Sequence, residues 1–369
     1  MPCPKRLRGA AAVVAVVAMW PAVPCVWAED ASTSKPAQTT AFVPSRAALD
    51  EVYEWLQHNP PDGTNRDARR RRMAVIQAAC DRLAPADWDR YSNAWTEPNA
   101  DQIDDAMERE HPALYYLGNA TARALADIRA TRVRKGLALW YLYNMGYVFK
   151  TPDACFAIDV HSRHAERLVD DLDFVLATHE HPDHWSQLLL DAMIEAKKPV
   201  VTRWYAGSTI VDEPAEFRFG TVRVKVDIGD HNHPGSVNDM LMFQVDCGPS
   251  ANDAVIYHTG DDSNVLKMQP DRTPDVLIFH VQCNGMNVND AFRRVGPRMM
   301  LPSHLLELGH CPTPPRISRW PFEFAFAVIE PTPPDRAAIL TWGERWLLPG
   351  TVLETPATQD ASTSPRESR

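Results

Sequence analysis

Between Ala177 and Trp185 the chain reads ATHEHPDHW, three histidines, a glutamate and an aspartate within nine residues. Imidazole and carboxylate are the donors that zinc and its neighbours accept, and metal-assisted hydrolysis is the chemistry such donors serve. In His179-x-His181 the two rings stand two residues apart, so an extended loop can aim both at one ion. Pro182 opens a turn that can direct Asp183 and His184 to a second ion, about 3.5–4 Å away in two-metal hydrolytic sites. The rival reading is a histidine-rich surface loop. A two-metal centre needs further ligands from elsewhere in the chain, and a surface loop does not.

Those ligands are present at intervals downstream. GDHNHPG offers His231 and His233 as competing candidates after an alternating strand. YHTGDD offers Asp261, placed where a bridging carboxylate could reach both ions, and LPSHLLELGH offers His304 with Glu307 and His310 close behind. Taken singly, a histidine after a strand is usually a hydrogen-bonded structural residue. Their succession behind the first cluster is what carries the metal reading.

The elements that would position them alternate. LALWYLYNMGYVFKT is β-rich with a turn at Asn144-Met145-Gly146, and ACFAIDV, the run Phe174 to Ala177, PVVT, TVRVKVDIGDH, MLMFQVD, AVIYHTGDD, DVLIFHV and RMMLPSH read as further strands. A helix is expected over Ser186 to Ala196. Each polar cluster falls just past a strand's carboxyl end, where open α/β folds place ligands. Ahead of this lies helical sequence. Leu49, Val52, Tyr53, Trp55 and Leu56 share a face before the NPPDG break at Asn59 to Gly63. Met73, Ile76, Ala79, Cys80 and Leu83 continue in a second helix, and Ala113 to Ile128 suggests a third.

The amino terminus has a basic start (Lys5, Arg6, Arg8), an apolar stretch from Ala10 to Met19 too short to span a bilayer, and a Val26-Trp27-Ala28 cleavage site. The expected organisation is a signal peptide over 1–28, a flexible segment over 29–44, a helical extension over 45–135, a catalytic domain over 136–354 and a disordered tail over 355–369. The mature protein is then periplasmic or secreted, with no stable membrane insertion. Five mature cysteines (Cys80, Cys155, Cys247, Cys283, Cys311) leave at least one thiol unpaired and lack C-x-x-C spacing. The net charge of −10 gives no basic footprint for nucleic acid. The run Arg69-Arg70-Arg71-Arg72 reads as a solvated helix face. A small-molecule or lipid-like substrate is the expected partner, and Trp320, Trp342 and Trp346 either line an apolar entrance or fill the core.

The order of motifs resembles the metallo-β-lactamase-fold hydrolases over roughly residues 136–345. LDFVLATHEHPDHW, YHTGDD and LPSHLLELGH resemble the branch with ascorbate-6-phosphate lactonase-like and N-acylphosphatidylethanolamine phospholipase D-like enzymes. The resemblance implies an α/β fold, an αββα sandwich with the metals at one sheet edge, here with an N-terminal helical extension. It implies His179, His181 and His231 on one metal, Asp183, His184 and His304 on the other, and Asp261 between them. His231 is favoured over His233 because it directly follows Gly229-Asp230, as in relatives.

The chemistry expected of such a site is attack by a metal-bound hydroxide on an ester, lactone or related bond. Asp261 holds the pair together and Asp183 also steers the nucleophile, which makes both candidate catalytic residues. Two divalent ions are implied, with zinc preferred on donor type and Mn²⁺ or Fe²⁺ acceptable. Asp159 either orients a ligand histidine or caps a turn, and His258 supports the site or the fold. Glu307 and His310 either touch substrate or are ordinary polar residues, and His161 and His164 are expected at the surface. Phosphodiester cleavage on the same centre is the enzymatic alternative. A non-catalytic metal-binding protein retaining the fold is the alternative of another class.

Overall fold

Alternation along the strands sorts the interior into two layers, as seen in a computed structural model that describes residues 43–81, 105–231, 237–282, 286–308 and 320–354. All of these lie in one unit, Phe42–Arg369. Helices α1 (Arg46–His58), α2 (Arg66–Cys80), α3 (Asp105–Glu110) and α4 (Pro112–Ala130) come first, then strand β1 (Val133–Lys135). Next come β2 (Ala138–Tyr141), β3 (Tyr147–Lys150), β4 (Cys155–Ile158), β5 (Phe174–Leu176), α5 (Gln187–Glu195), β6 (Val200–Thr202) and β7 (Thr209–Ile210). The second half holds β8 (Ala215–Phe219), β9 (Val222–Gly229), β10 (Met240–Asp246), β11 (Val255–His258) and β12 (Val276–His280). It closes with α6 (Val288–Val295), β13 (Met299–Ser303), α7 (Phe322–Ile329), β14 (Glu344–Leu347) and β15 (Val352–Leu353).

Strands β2 to β7 of the first half, joined at the β2 edge by β14 from the second, build a seven-stranded sheet in the order β14-β2-β3-β4-β5-β6-β7, and β8 to β13 build a six-stranded sheet, β13-β12-β11-β10-β9-β8. In the first sheet, Leu139, Tyr141, Tyr147, Phe149, Phe156 and Ile158 join the core shared with the second sheet. Their neighbours Ala138, Trp140, Val148, Cys155 and Ala157 pack instead against Ala124 and Ile128 of α4 and Leu189, Leu190 and Met193 of α5. Period-two alternation with both faces buried is what an inner sheet of an αββα sandwich requires. Stacked rings tie the sheets together: Phe149–Phe156, Phe156–Phe174 and Phe174–Phe219 have centroids 5.0, 4.8 and 4.2 Å apart.

Strands β4, β5, β6 and β7 run parallel, as do β11, β12 and β13. Their carboxyl ends deliver Asp159 and the ATHEHPDHW stretch from one sheet, and Asp261, His280 and His304 from the other. His231 follows β9, whose antiparallel partner β10 returns the chain.

The amino-terminal helices are fastened to this sandwich. Ser45 caps α1 by accepting from the Ala48 N–H, and Leu49, Val52, Tyr53 and Leu56 form its buried face. The run at Arg69 departs from expectation. Arg69 is 2% exposed and donates to both oxygens of Glu344 (2.7 and 2.8 Å) and to the carbonyls of Asn59 and Ile339. Only its neighbours on α2 are left toward solvent, so the run is a solvated face with one buried anchor. Tyr53 and Gln57 donate to the Gly343 carbonyl. Gly343 has φ +75°, and a Cβ there would meet the Ala120 carbonyl oxygen at 2.5 Å, so helix and turn approach as closely as only glycine permits. Leu83 lies outside the described residues. Among the described residues no helix is long and apolar enough to cross a membrane, and Cys80, Cys155 and Cys247 are buried free thiols. Cys283 and Cys311 lie outside the described residues.

Candidate metal centre

The site is laid down by short turns past the strand ends. Beyond β5 the chain runs extended through Thr178 and His179 to His181, whose ψ of 133° leads into a single 3-10 turn, Pro182–His184. That turn carries Asp183 and His184 back toward β4, and both are buried. Beyond β11, Gly260 has φ +52°, and a Cβ there would stand 2.8 Å from Thr178 Oγ1. Glycine therefore lets Asp261 lie against the first sheet's loop. Beyond β13, His304 takes φ +65° and its N–H donates to the Asn144 carbonyl at 2.8 Å. Positive φ at a non-glycine residue costs energy that the surroundings must supply, a pattern common where side chains must be aimed.

Seven of the eight ligand candidates come together. Donor atoms of His179, His181 and His231 lie within 4.8 Å of one another, as do those of Asp183, His184 and His304. Asp261 sits between the trios: its Oδ2 is 3.4 Å from His184 Nε2, 3.7 Å from His304 Nε2 and 3.8 Å from His231 Nε2. His304 Nε2 is also 3.0 Å from Asp183 Oδ2. The eighth candidate, His233, lies outside the described residues, and so does His310.

Asp159 aims two of the imidazoles. At the end of β4 and fully buried, it accepts the Thr178 N–H on Oδ1 and the Thr178 hydroxyl on Oδ2, each at 2.7 Å. Having given its proton to Asp159, Thr178 Oγ1 can only accept from His179 Nδ1, 3.0 Å away. His184 Nδ1 donates directly to Asp159 Oδ2 at 2.9 Å. Both rings are thereby left with their lone pair on Nε2, facing the cluster, which is the support that metal-binding histidines typically have. Replacing Asp159 with alanine is expected to weaken metal binding by about 10–100-fold with the fold kept. Competition against a metallochromic chelator measures this, and an unchanged affinity would refute the orienting role.

Electrostatics favour a cation here. Burial, reinforced by neighbouring imidazoles, holds His179 well below the usual histidine range, and burial beside His231 brings His181 down to about 4. Both are thus neutral donors at pH 7. His179 Nε2 is buried and has no hydrogen-bond partner among the described residues, which leaves its lone pair for a metal. Burial opposes charge on His184 and His304, yet Asp261 and Asp183 pull both upward. Burial likewise opposes ionisation of Asp261, and His184 and His304 keep it well below the carboxylate range. Buried carboxylates that draw protons onto their histidines are groups that a divalent ion would neutralise better.

Some supporting residues had little or no sequence signal. Asn144, in the β2–β3 turn with φ 48°, donates from Nδ2 to Asp183 Oδ2 at 3.1 Å while its carbonyl holds His304. Its sequence context, Asn144-Met145-Gly146, signals only a turn. His280, at the end of an apolar strand, joins Asp261 and His304 in a further cluster of donor atoms. Glu307 is buried, 3.8 Å from His304 Nδ1. His161 is a correction: it is buried beneath the site with Nδ1 at 3.0 Å from the Trp185 carbonyl and its ring 6.0 Å from Tyr143. His164 is half-buried. His258 supports the fold, donating from Nε2 to the Met145 carbonyl at 2.9 Å. Trp342 and Trp346 are core residues, whereas Trp320 is half-buried edge-on to His280 and His304.

Residues 134–304 match the family described as the beta-lactamase superfamily domain, a span that contains every candidate ligand. Over that span the chain is similar to the beta-lactamase superfamily domain, and its two facing sheets with outer helices bring together a cluster of His and Asp donors that could hold metal. No curated protein matches it in sequence. Among solved structures it is similar to Igni18, a novel metallo hydrolase from Ignicoccus hospitalis, at 15% identity and TM-score 0.42, over 59% of this chain and 98% of that one. The metallo-beta-lactamase fold protein YhfI from Bacillus subtilis is similar at 13% identity and TM-score 0.41, over 57% and 99% of the two chains. An isothiocyanate hydrolase from Delia radicum gut bacteria is similar at 15% identity and TM-score 0.43, over 57% and 98%.

Proposed function

We propose that the protein is an exported, dinuclear-metal hydrolase that cleaves an ester, lactone or related bond in a small-molecule or lipid-like substrate. The observation that supports this most is the position of Asp261 Oδ2, within 3.4–3.8 Å of imidazoles from both trios. His179, His181 and His231 would hold one ion and Asp183, His184 and His304 the other, with Asp261 shared. The N and O donors, without a thiolate, suit zinc, and Mn²⁺ or Fe²⁺ fit less tightly. Within the superfamily, the motifs LDFVLATHEHPDHW, YHTGDD and LPSHLLELGH support the ascorbate-6-phosphate lactonase-like and N-acylphosphatidylethanolamine phospholipase D-like branch. Residues 1–28 would direct export to the periplasm or beyond and be removed.

A bound metal pair supplies Lewis acidity and a water acidified to near neutral pH. The protein's own groups do the rest. Asp183, held by Asn144, steers the attacking water by accepting its hydrogen bond. All of the described ligand candidates but His181 are buried, which keeps bulk water away and strengthens every charge interaction at the reacting bond. A panel of δ-valerolactone, p-nitrophenyl acetate, an acyl thioester and bis(p-nitrophenyl) phosphate tests this. The lactone and ester should turn over faster than the phosphodiester, chelation should stop the reaction and Zn²⁺ restore it. Turnover of the phosphodiester alone would overturn the bond class, and turnover that survives chelation would overturn the metal chemistry.

A further inference from the structure

One buried imidazole at the centre has no place in the ligand set. His280 ends β12, between the strands that deliver Asp261 and His304. It is 2% exposed, its ring stacks on His304 at 4.3 Å, and one of its nitrogens lies within 4.8 Å of donor atoms on Asp261 and His304. Trp320 stands edge-on to both rings, with centroids 4.4 and 4.9 Å away.

Hydrogen bonding fixes where its proton resides. The Gln282 backbone N–H donates to His280 Nδ1 at 2.9 Å. An amide N–H can only donate, so Nδ1 holds the lone pair and the neutral ring carries its hydrogen on Nε2. This is the opposite tautomer to His179 and His184, whose Nδ1–H groups are engaged and whose Nε2 lone pairs face the cluster. No hydrogen bond among the described residues uses His280 Nε2. A nitrogen that already carries hydrogen cannot ligate a metal, yet it can donate to an oxygen held next to one.

Building on the hydrolase reading above, we infer that His280 is a catalytic hydrogen-bond donor and not a ligand. Its Nε2–H polarises the substrate oxygen that gains negative charge beside Asp261 and His304. It donates without transferring its proton, because losing it would leave an imidazolate. Neutral imidazoles serve as electrophiles in this way where their environment keeps them uncharged. A substrate is then favoured whose carbonyl or phosphoryl oxygen reaches the His280–Trp320 side of the pair.

The test compares wild type with H280A and H280Q, the glutamine amide placing an N–H near the Nε2 position. Metal per chain and chelator-competition affinity should be unchanged in both variants. With p-nitrophenyl acetate as probe, kcat of H280A should fall by about 10²–10³-fold with KM little altered, and H280Q should recover part of the loss. Loss of a metal equivalent in H280A would make His280 a ligand and overturn the inference. So would a wild-type kcat in H280A, or an H280Q no better than H280A. If H280A melts early, H280Q against the equally bulky H280M gives the same comparison with the donor present or absent. A wild type that binds no metal defeats the hydrolase reading and this inference with it. A metal-loaded, active wild type matched by H280A defeats this inference alone.

Discussion

Asp261→Ala is expected to lose metal and to lower turnover by about 10³-fold or more, since a metal pair supplies several kcal/mol of transition-state stabilisation. Asp261 Oδ2 lies near imidazoles of both trios, so its removal would take a shared donor from the centre. Asp261→Asn separates charge from shape, because the amide keeps the volume and one oxygen but cannot neutralise two cations. It should bind metal more weakly than wild type and more strongly than the alanine variant. Metal content after dialysis, together with kcat on the best substrate of the panel, decides the matter. Full loading in Asp261→Ala would remove the residue from the centre.

Arg69→Ala should cost about 3–5 kcal/mol of stability, although Arg69 lies in the helical extension and outside the cluster of metal-ligand candidates. Its guanidinium is buried against Glu344, itself 0% exposed, and also satisfies two carbonyls. Deleting it strands a buried carboxylate whose other partner is the Thr341 N–H. Burial raises the Glu344 pKa, and Arg69 is the group that most opposes this. Without Arg69 the folded-state pKa rises further above the unfolded value. The folded variant then favours protonated Glu344, and stability is lost as pH rises through that folded pKa. The deficit should therefore be larger at pH 8 than at pH 5. Urea titrations at both pH values check this, and a deficit below about 1 kcal/mol at each would contradict it. Arg69→Met with Glu344→Leu should recover much of the loss, as apolar replacements of buried pairs often do. Because this pair joins α2 to β14, the extension is expected to be part of the stable fold and not a detachable cap.

How much was legible follows from how local each signal is. The ATHEHPDHW turn announces itself because its donors are contiguous. His231, Asp261 and His304 become readable once their strands are recognised by alternation. Strands β2 to β6 and β9 to β13 stand out as apolar or alternating runs, whereas β1 and β8 carry charged residues among few apolar ones, β7 and β15 are two residues long, and β14 pairs with the distant β2. A lone histidine at the end of DVLIFHV looks structural until Asp261 and His304 are seen on either side, so His280 was missed. Asn144 was visible only as a turn residue, because its contact with Asp183 spans 39 positions. His161 was expected at the surface, since nothing local tells that Tyr143 and the Trp185 carbonyl close over it. Arg69 was grouped with its exposed neighbours because its partner lies 275 residues away.

Two trios sharing Asp261 are expected to form one dinuclear centre. Elemental analysis of the purified wild-type protein, dialysed free of loosely held ions, tests it most directly. Two equivalents of a transition metal per chain are expected, with zinc foremost, falling below one in Asp261→Ala. A wild-type protein that retains no metal and takes none up would contradict the account.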